Sequence, residues 1–476
     1  MTAALALGPI LPELLLGVGA LALVLAGALI GEKAGPLITD IAIAILGLAI
    51  ITVVTHPGGN GTAFSGAFVN DDFARFMKVL ALSGSLITLL LSLDHFRRAR
   101  LTSFEYPVLI LLSSLGMLML ISANDLIALY VGLELMSLAL YVVAAWDRDN
   151  LRATEAGLKY FVLGALSSGM LLYGASLLYG FSGTVSFRGI AAAIGHTPSL
   201  GVVFGLVFLM AGMAFKVSLV PFHMWTPDVY EGAPTPVTAF FASAPKMAGM
   251  ALMVRVIITA FPGVLLQWQQ LAVFIAIASM ALGAFAAIGQ ENIKRLMAYS
   301  SIGHMGFALV GLAAGTAAGV QGVLIYMAIY LAMTLGTFAA ILMMRRQGRS
   351  IETIADLAGL GQTDKGMAFF LAMMMFSLAG IPPLAGFFAK FYVFAAAIEA
   401  GLTWLAVIGV LASCVAAYYY LRIVKIMYFD ASAPAFDRAA PLVRGVLIVA
   451  TLLVLLFPFY PSPLITAALA AARSLF

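Results

Sequence analysis

Stretches of about twenty mainly apolar residues recur along almost the whole of this 476-residue chain, separated only by short charged, Gly-rich or Pro-rich breaks. A helix needs about twenty such residues to cross the hydrocarbon core of a bilayer. Lipid also forces every backbone polar group to find its partner within a helix or a closed barrel. Composition agrees: 63% of residues are hydrophobic and 10% charged, with a mean hydropathy of +1.08, outside the range of soluble domains. The chain therefore reads as an all-α polytopic membrane protein.

The breaks place spans near 10–30, 37–55, 72–93, 105–122, 124–146, 155–180 and 200–224. Seven more fall near 235–261, 268–289, 295–313, 319–344, 366–398, 402–428 and 443–470, giving about fourteen in one transmembrane domain. Basic loop residues sort into two alternating sets, sixteen on one side and four (Arg75, Lys78, Arg188, Arg473) on the other. The positive-inside rule assigns the rich side to the cytoplasm and both termini to the outside. Loops of about twenty residues or fewer leave no room for a soluble catalytic domain.

The net charge of +4 does not point to nucleic acid, because the basic residues lie in short loops between apolar spans rather than on one face. A single cysteine, Cys414, excludes a disulfide framework and a cysteine-ligated metal or iron–sulfur centre. The first seventeen residues lack a basic n-region and carry Glu13 within an apolar run, which predicts a retained helix rather than a signal peptide.

Ionisable residues inside the spans ask for an explanation, since each costs roughly 2.5–3.5 kcal/mol near the bilayer centre on insertion scales. Glu134, Lys216, Lys246, His304 and Lys390 all occupy such positions. Glu134 and Lys216 can be read as one neutralising ion pair, and His304 as a satisfied core histidine. Lys246 and Lys390 are left without an intramembrane carboxylate, so structural pairing does not cover the set. Lys159, near a helix start beside Glu155, is open to two readings: an interfacial side chain or a member of a path. Buried lysines whose proton affinity responds to a nearby carboxylate suit proton transfer, which requires an energy source that this chain does not contain.

Pro221 and the pair Pro382–Pro383 each fall inside an apolar span, and a missing N–H there frees carbonyls of the kind found along transporter ion paths. The spacing from Glu134 to Lys216 is 82 residues and from His304 to Lys390 it is 86. Offsets of 170 and 174 span five helices, which predicts an inverted repeat of helices 4–8 (105–261) on helices 9–13 (268–428). Helices 7 and 12 are the broken ones. Residues 1–104 hold helices 1–3, and 443–470 the last helix.

The stretches FKVSLVPFHMWTPDVYEGAPTPVTAFFASAPKMAG, ENIKRLMAYSSIGHMGFALVGL and LAGIPPLAGFFAKFYVF resemble the subunit N members of the antiporter-like subunits of bacterial proton-translocating NADH:quinone oxidoreductase, respiratory complex I. The resemblance runs over nearly the whole chain. It implies that Glu134 modulates Lys216, that Lys246 is a connecting lysine and Lys390 a terminal one, and that His304 and Lys159 are lesser members of a hydrophilic axis. It implies as partners the other membrane subunits, especially subunit M and small membrane subunits, in a bacterial inner membrane. It also places flavin mononucleotide, iron–sulfur clusters and the quinone site in other subunits, leaving this chain without a cofactor. The competing reading is a subunit of a stand-alone cation/proton antiporter.

Overall fold

The computed structural model describes residues 8–55, 61–196 and 198–476. Helices α1 (Leu11–Ile30) and α2 (Gly35–Thr55) precede a short hairpin of β1 (Gly61–Ala63) and β2 (Phe68–Asn70). Then come α3 (Asp72–Ala99), α4 (Glu105–Ile121), α5 (Leu126–Ala144), α6 (Leu151–Ser182) and the short α7 (Phe187–Ile194). Helices α8 (Leu200–Lys216), α9 (Trp225–Gly232), α10 (Thr235–Ala242) and α11 (Ala244–Ala260) carry the chain to its middle. The second half runs through α12 (Leu265–Ala286), α13 (Ile293–Ala313) and α14 (Ala317–Met343) to a second hairpin, β3 (Arg345–Arg346) with β4 (Arg349–Ser350). It ends with α15 (Leu360–Thr363), α16 (Lys365–Ala379), α17 (Ala385–Glu399), α18 (Thr403–Phe429), α19 (Pro441–Leu456) and α20 (Ser462–Arg473).

Among the described residues, eleven helical segments are long and apolar enough to cross a membrane by length and composition, and α4, α8 and α16 are shorter apolar helices. Polar residues at the breaks start many of them. The side chains of Asp71, Asp125, Asn292, Thr316 and Asp364 accept N–H groups in the first turns of α3, α5, α13, α14 and α16, the ordinary N-cap role of these residue types.

The two spans read as broken are interrupted, and two others read as continuous are interrupted as well. The 200–224 span stops at Lys216, and Ser218 in the gap has a φ of 64°. The 366–398 span is divided by Gly380–Leu384, with Gly380 at φ 87°. The 235–261 span, read as continuous, is interrupted at Ser243, next to Pro245. The 443–470 span is two helices, α19 and α20, separated around Pro458 and Pro461. Many residues counted with the loop charges lie in the end turns of helices, and two of them are buried: Lys78 in α3 and Lys294 in α13. Lys78 is buried 2.7 Å from Glu13 of α1.

Close helix crossings depend on missing side chains. On α4, a Cβ at Gly116 would lie 2.3 Å from the Met136 nitrogen of α5, and on α12 a Cβ at Gly283 would lie 2.6 Å from the Gly303 nitrogen of α13. Without a hydrophobic drive between helices in lipid, such small-residue contacts carry the packing. The two crossings share a register: Gly283 and Gly303 each lie 167 positions after Gly116 and Met136.

The same offset recurs where loops pair. Leu126 N–H donates to Val185 O and Phe187 N–H to Asn124 O, and Ile293 N–H donates to Glu352 O and Ile354 N–H to Glu291 O. Every residue of the second bridge lies 167 positions after its counterpart. The first bridge adjoins the β1–β2 hairpin and the second adjoins β3–β4, so they tie loops at different places in the chain into two clusters.

Candidate functional site

Three buried lysines lie at the interruptions of these helices, and His304 lies within the unbroken α13. Lys216, Lys246, His304 and Lys390 are all 5% exposed or less. Lys216 is the last residue of α8, and its Nζ donates to Ser137 Oγ at 2.8 Å and Tyr141 OH at 3.3 Å, both on α5. The gap after α8 frees backbone groups that the surroundings satisfy: Trp225 Nε1 donates to Phe215 O at 3.0 Å, and Val220 N–H donates to Ser279 Oγ of α12 at 2.9 Å. Lys246 Nζ donates to Val217 O at 3.2 Å. Lys246 therefore bonds the residue that follows Lys216.

Their helices oppose one another electrostatically. Lys216 lies at the carbonyl end of α8, where the helix dipole is negative, and Lys246 in the first turn of α11, where it is positive. Beside Lys246 stands the ring of Tyr230, with its centroid 5.9 Å from Nζ. The Tyr230 hydroxyl is buried and has no partner among the described residues.

In the second half, Lys390 reaches back from α17 across the Gly380–Leu384 gap. Its Nζ donates to Ala379 O at 2.8 Å, Leu378 O at 3.3 Å and Ser413 Oγ of α18 at 2.7 Å. It thus sits at the carbonyl end of α16, as Lys216 does at that of α8, although it follows its break and Lys216 precedes its own. Gly380 leaves the space: a Cβ there would lie 3.0 Å from Lys390 Nζ. His304 of α13 is held by two phenols, Nδ1 to Tyr326 OH at 2.6 Å and Nε2 to Tyr420 OH at 3.1 Å. Tyr420 also bonds Ser300, and Ser301 bonds Tyr330 at 2.8 Å. Phe307 lies beside both His304 and Lys390, with its centroid 6.2 Å from the imidazole and 4.9 Å from Lys390 Nζ.

Glu134 and Lys159 lie outside this buried set. Glu134 is half-buried on α5, with one carboxylate oxygen enclosed and unpaired, and it makes no ion pair within 4 Å among the described residues. Lys159 is 41% exposed and pairs with Asp228 at 2.8 Å and Glu155 at 2.7 Å. Asp228 and Glu231 of α9 also hold Arg295 of α13, at 2.7 and 3.0 Å.

Sequence reasoning missed several polar residues here. Ser137 and Tyr141 lie one and two turns after Glu134, and only the i, i+3 and i, i+7 face of α5 would have marked them. Tyr326, Tyr330 and Tyr420, which nothing in their spacing singles out, surround His304. Buried pairs were also missed: Lys294 with Glu352 at 2.6 Å, and Arg255 with Asp71, bidentate at 2.8 Å. The Asp71 carboxyl lies outside the helix it caps. Burial pushes its pKa up, but the Arg255 guanidinium and the Ala74 N–H outweigh this and hold it below the usual carboxylate value.

Residues 123–416 match the family described as NADH:quinone oxidoreductase/Mrp antiporter, TM. The NADH-quinone oxidoreductase subunit N of Beijerinckia indica is 67% identical over 466 residues, covering 98% of both chains. The chain belongs to the subunit N family of NADH-quinone oxidoreductase. A chain in respiratory complex I from Thermus thermophilus with bound aureothin superposes with a TM-score of 0.84 at 32% identity, covering 96% of this chain and 99% of that one. A chain of the Mrp complex from Dietzia sp. gives 0.87 at 21% identity over 99% and 98%, a likeness of fold. Subunit N membership thus rests on sequence along nearly the full length, and the antiporter-like fold on both structures.

Proposed function

We propose that this subunit N chain carries protons across a bacterial inner membrane as part of the membrane arm of complex I, along a path through Lys216, Lys246, His304 and Lys390. The observation that carries the reading is the shared gap after α8, where Lys216 ends one half-helix and Lys246 bonds the adjoining Val217 carbonyl. The opposed helix ends give the two sites different fields along one short route. Tyr230, Tyr330, Tyr326 and Tyr420 with Ser300 and Ser301 offer exchangeable hydroxyls between Lys246 and His304. Glu134, half-buried, adjusts the Lys216 end from the surface of α5, and Lys159 acts indirectly by setting α9 through Asp228.

Taking α8–α9, α10–α11 and α16–α17 each as one crossing, with α4, gives fourteen spans. The recurring offset of 167 residues in crossings and bridges supports an inverted repeat of 105–261 on 268–428. Loop charge supports termini outside the cytoplasm. Energy comes from redox chemistry in partner subunits, which hold the flavin, iron–sulfur clusters and quinone; subunit M and small membrane subunits flank this chain.

Lys216→Ala and Lys390→Ala in the assembled complex, reconstituted in vesicles, test the path by NADH-driven proton uptake. Severe loss in both is the expected result, and normal pumping in both would remove the site assignment. The stand-alone antiporter reading predicts purification with hydrophobic chains only, without flavin and iron–sulfur subunits.

A further inference from the structure

We propose that a cleft between α1, α4 and α5 binds one zwitterionic phospholipid bearing a primary amine, of the phosphatidylethanolamine class. The cleft encloses about 840 Å³, within the range of small-molecule sites. Its walls are apolar and come from membrane helices, with Val24 and Ala28 on α1, Leu109 and Leu112 on α4 and Val142 on α5. Both Val24 and Val142 face outward, 40% and 53% exposed.

The rim is charged and belongs to the Arg-rich loop side. Arg100 follows α3, Glu105 opens α4, and Arg148 with Asp149 follows α5, all four lining the same cleft. None of the four makes an ion pair within 4 Å among the described residues, not even with one another. Two guanidiniums suit a phosphodiester, and two carboxylates suit an ammonium with N–H donors. Phosphatidylglycerol lacks the ammonium and phosphatidylcholine lacks its N–H groups, so the mixed rim favours the ethanolamine headgroup. Trp146 stands at the boundary between wall and rim, its Nε1 fixed on Leu101 O at 3.0 Å, the depth at which tryptophan gathers in membrane proteins.

The test passes the intact complex into nanodiscs holding equal parts phosphatidylethanolamine, phosphatidylglycerol and phosphatidylcholine, and reads retained lipid on the released subunit by native mass spectrometry. This readout is independent of proton pumping, so it stands or falls apart from the proposed path. Phosphatidylethanolamine is the expected lipid, with retention lowered about tenfold for each guanidinium lost in Arg100→Gln and Arg148→Gln. Leu109→Trp, which fills the apolar wall and leaves the rim intact, also expels it and serves if the arginine variants do not assemble. Equal retention of all three lipids, a preference for phosphatidylglycerol, insensitivity to all three variants, or a partner polypeptide filling the cleft in a map of the complex would each overturn the proposal.

Discussion

Gly380 shows how one residue can hold a functional group in place. Its φ of 87° suits glycine, and its missing Cβ leaves room for Lys390. Gly380→Ala should cost about 1–2 kcal/mol of stability from the left-handed backbone alone. It should also push Nζ off the Ala379 and Leu378 carbonyls. The expected outcome is reduced NADH-driven proton uptake in vesicles with electron transfer from NADH to an artificial acceptor unchanged; full pumping would show that Lys390 does not need this seat. At this scale the lysines and histidine were legible because ionisable residues stand out in an apolar span. Ser137 was not, because a serine hydroxyl in a membrane helix ordinarily bonds its own backbone, as this one does with Leu133 O; nor were Tyr141, Tyr326 and Tyr420, whose rings serve equally well as apolar packing.

Elements are fastened here by buried ion pairs as well as by close glycine crossings. Arg255 of α11 grips Asp71 ahead of α3 and also donates to Ile121 O at the end of α4. Because the folded Asp71 carboxyl is held below its ordinary value, its contribution is fully present above the unfolded pKa of about 4. It fades as pH falls through the lower folded value. Asp71→Asn, which strands a buried guanidinium, should lower stability by about 3–5 kcal/mol at neutral pH. Thermal unfolding in detergent from pH 8 downward should show the gap to the unchanged chain closing only in acid; a gap independent of pH would refute the role given to the carboxylate. Helix existence was readable from hydropathy, and so were the Pro221 and Pro382–Pro383 breaks. The Ser243 interruption was not marked, although Pro245 stands ten residues inside the span read as 235–261 and lacks an N–H just as Pro221 does.

For the molecule as a whole, the loop-charge asymmetry makes a topological claim that can be tested directly. In a Cys414→Ser background, Ser199→Cys before α8 and Ser432→Cys after α18 occupy exposed loops assigned to opposite sides. A membrane-impermeant maleimide added to intact cells should label only the first, and labelling of only the second would invert the assigned orientation. The two spacings bearing on the proposed repeat differ: Glu134 to His304 is 170, while crossings and bridges share 167. The three-residue discrepancy is nearly one helical turn, so both side chains fall on one face and a sequence comparison cannot tell the registers apart. The placement of Lys216 and Lys390 carries a consequence for protein engineering. Counted from the breaking prolines, the counterpart of Lys216 is Leu378, buried at the end of α16, and not Lys390. If the ammonium matters by where it stands and not by which residue bears it, transplanting it should work. Leu378→Lys combined with Lys390→Leu should recover part of the proton uptake lost in Lys390→Leu alone, and no recovery would tie the role to position 390 itself.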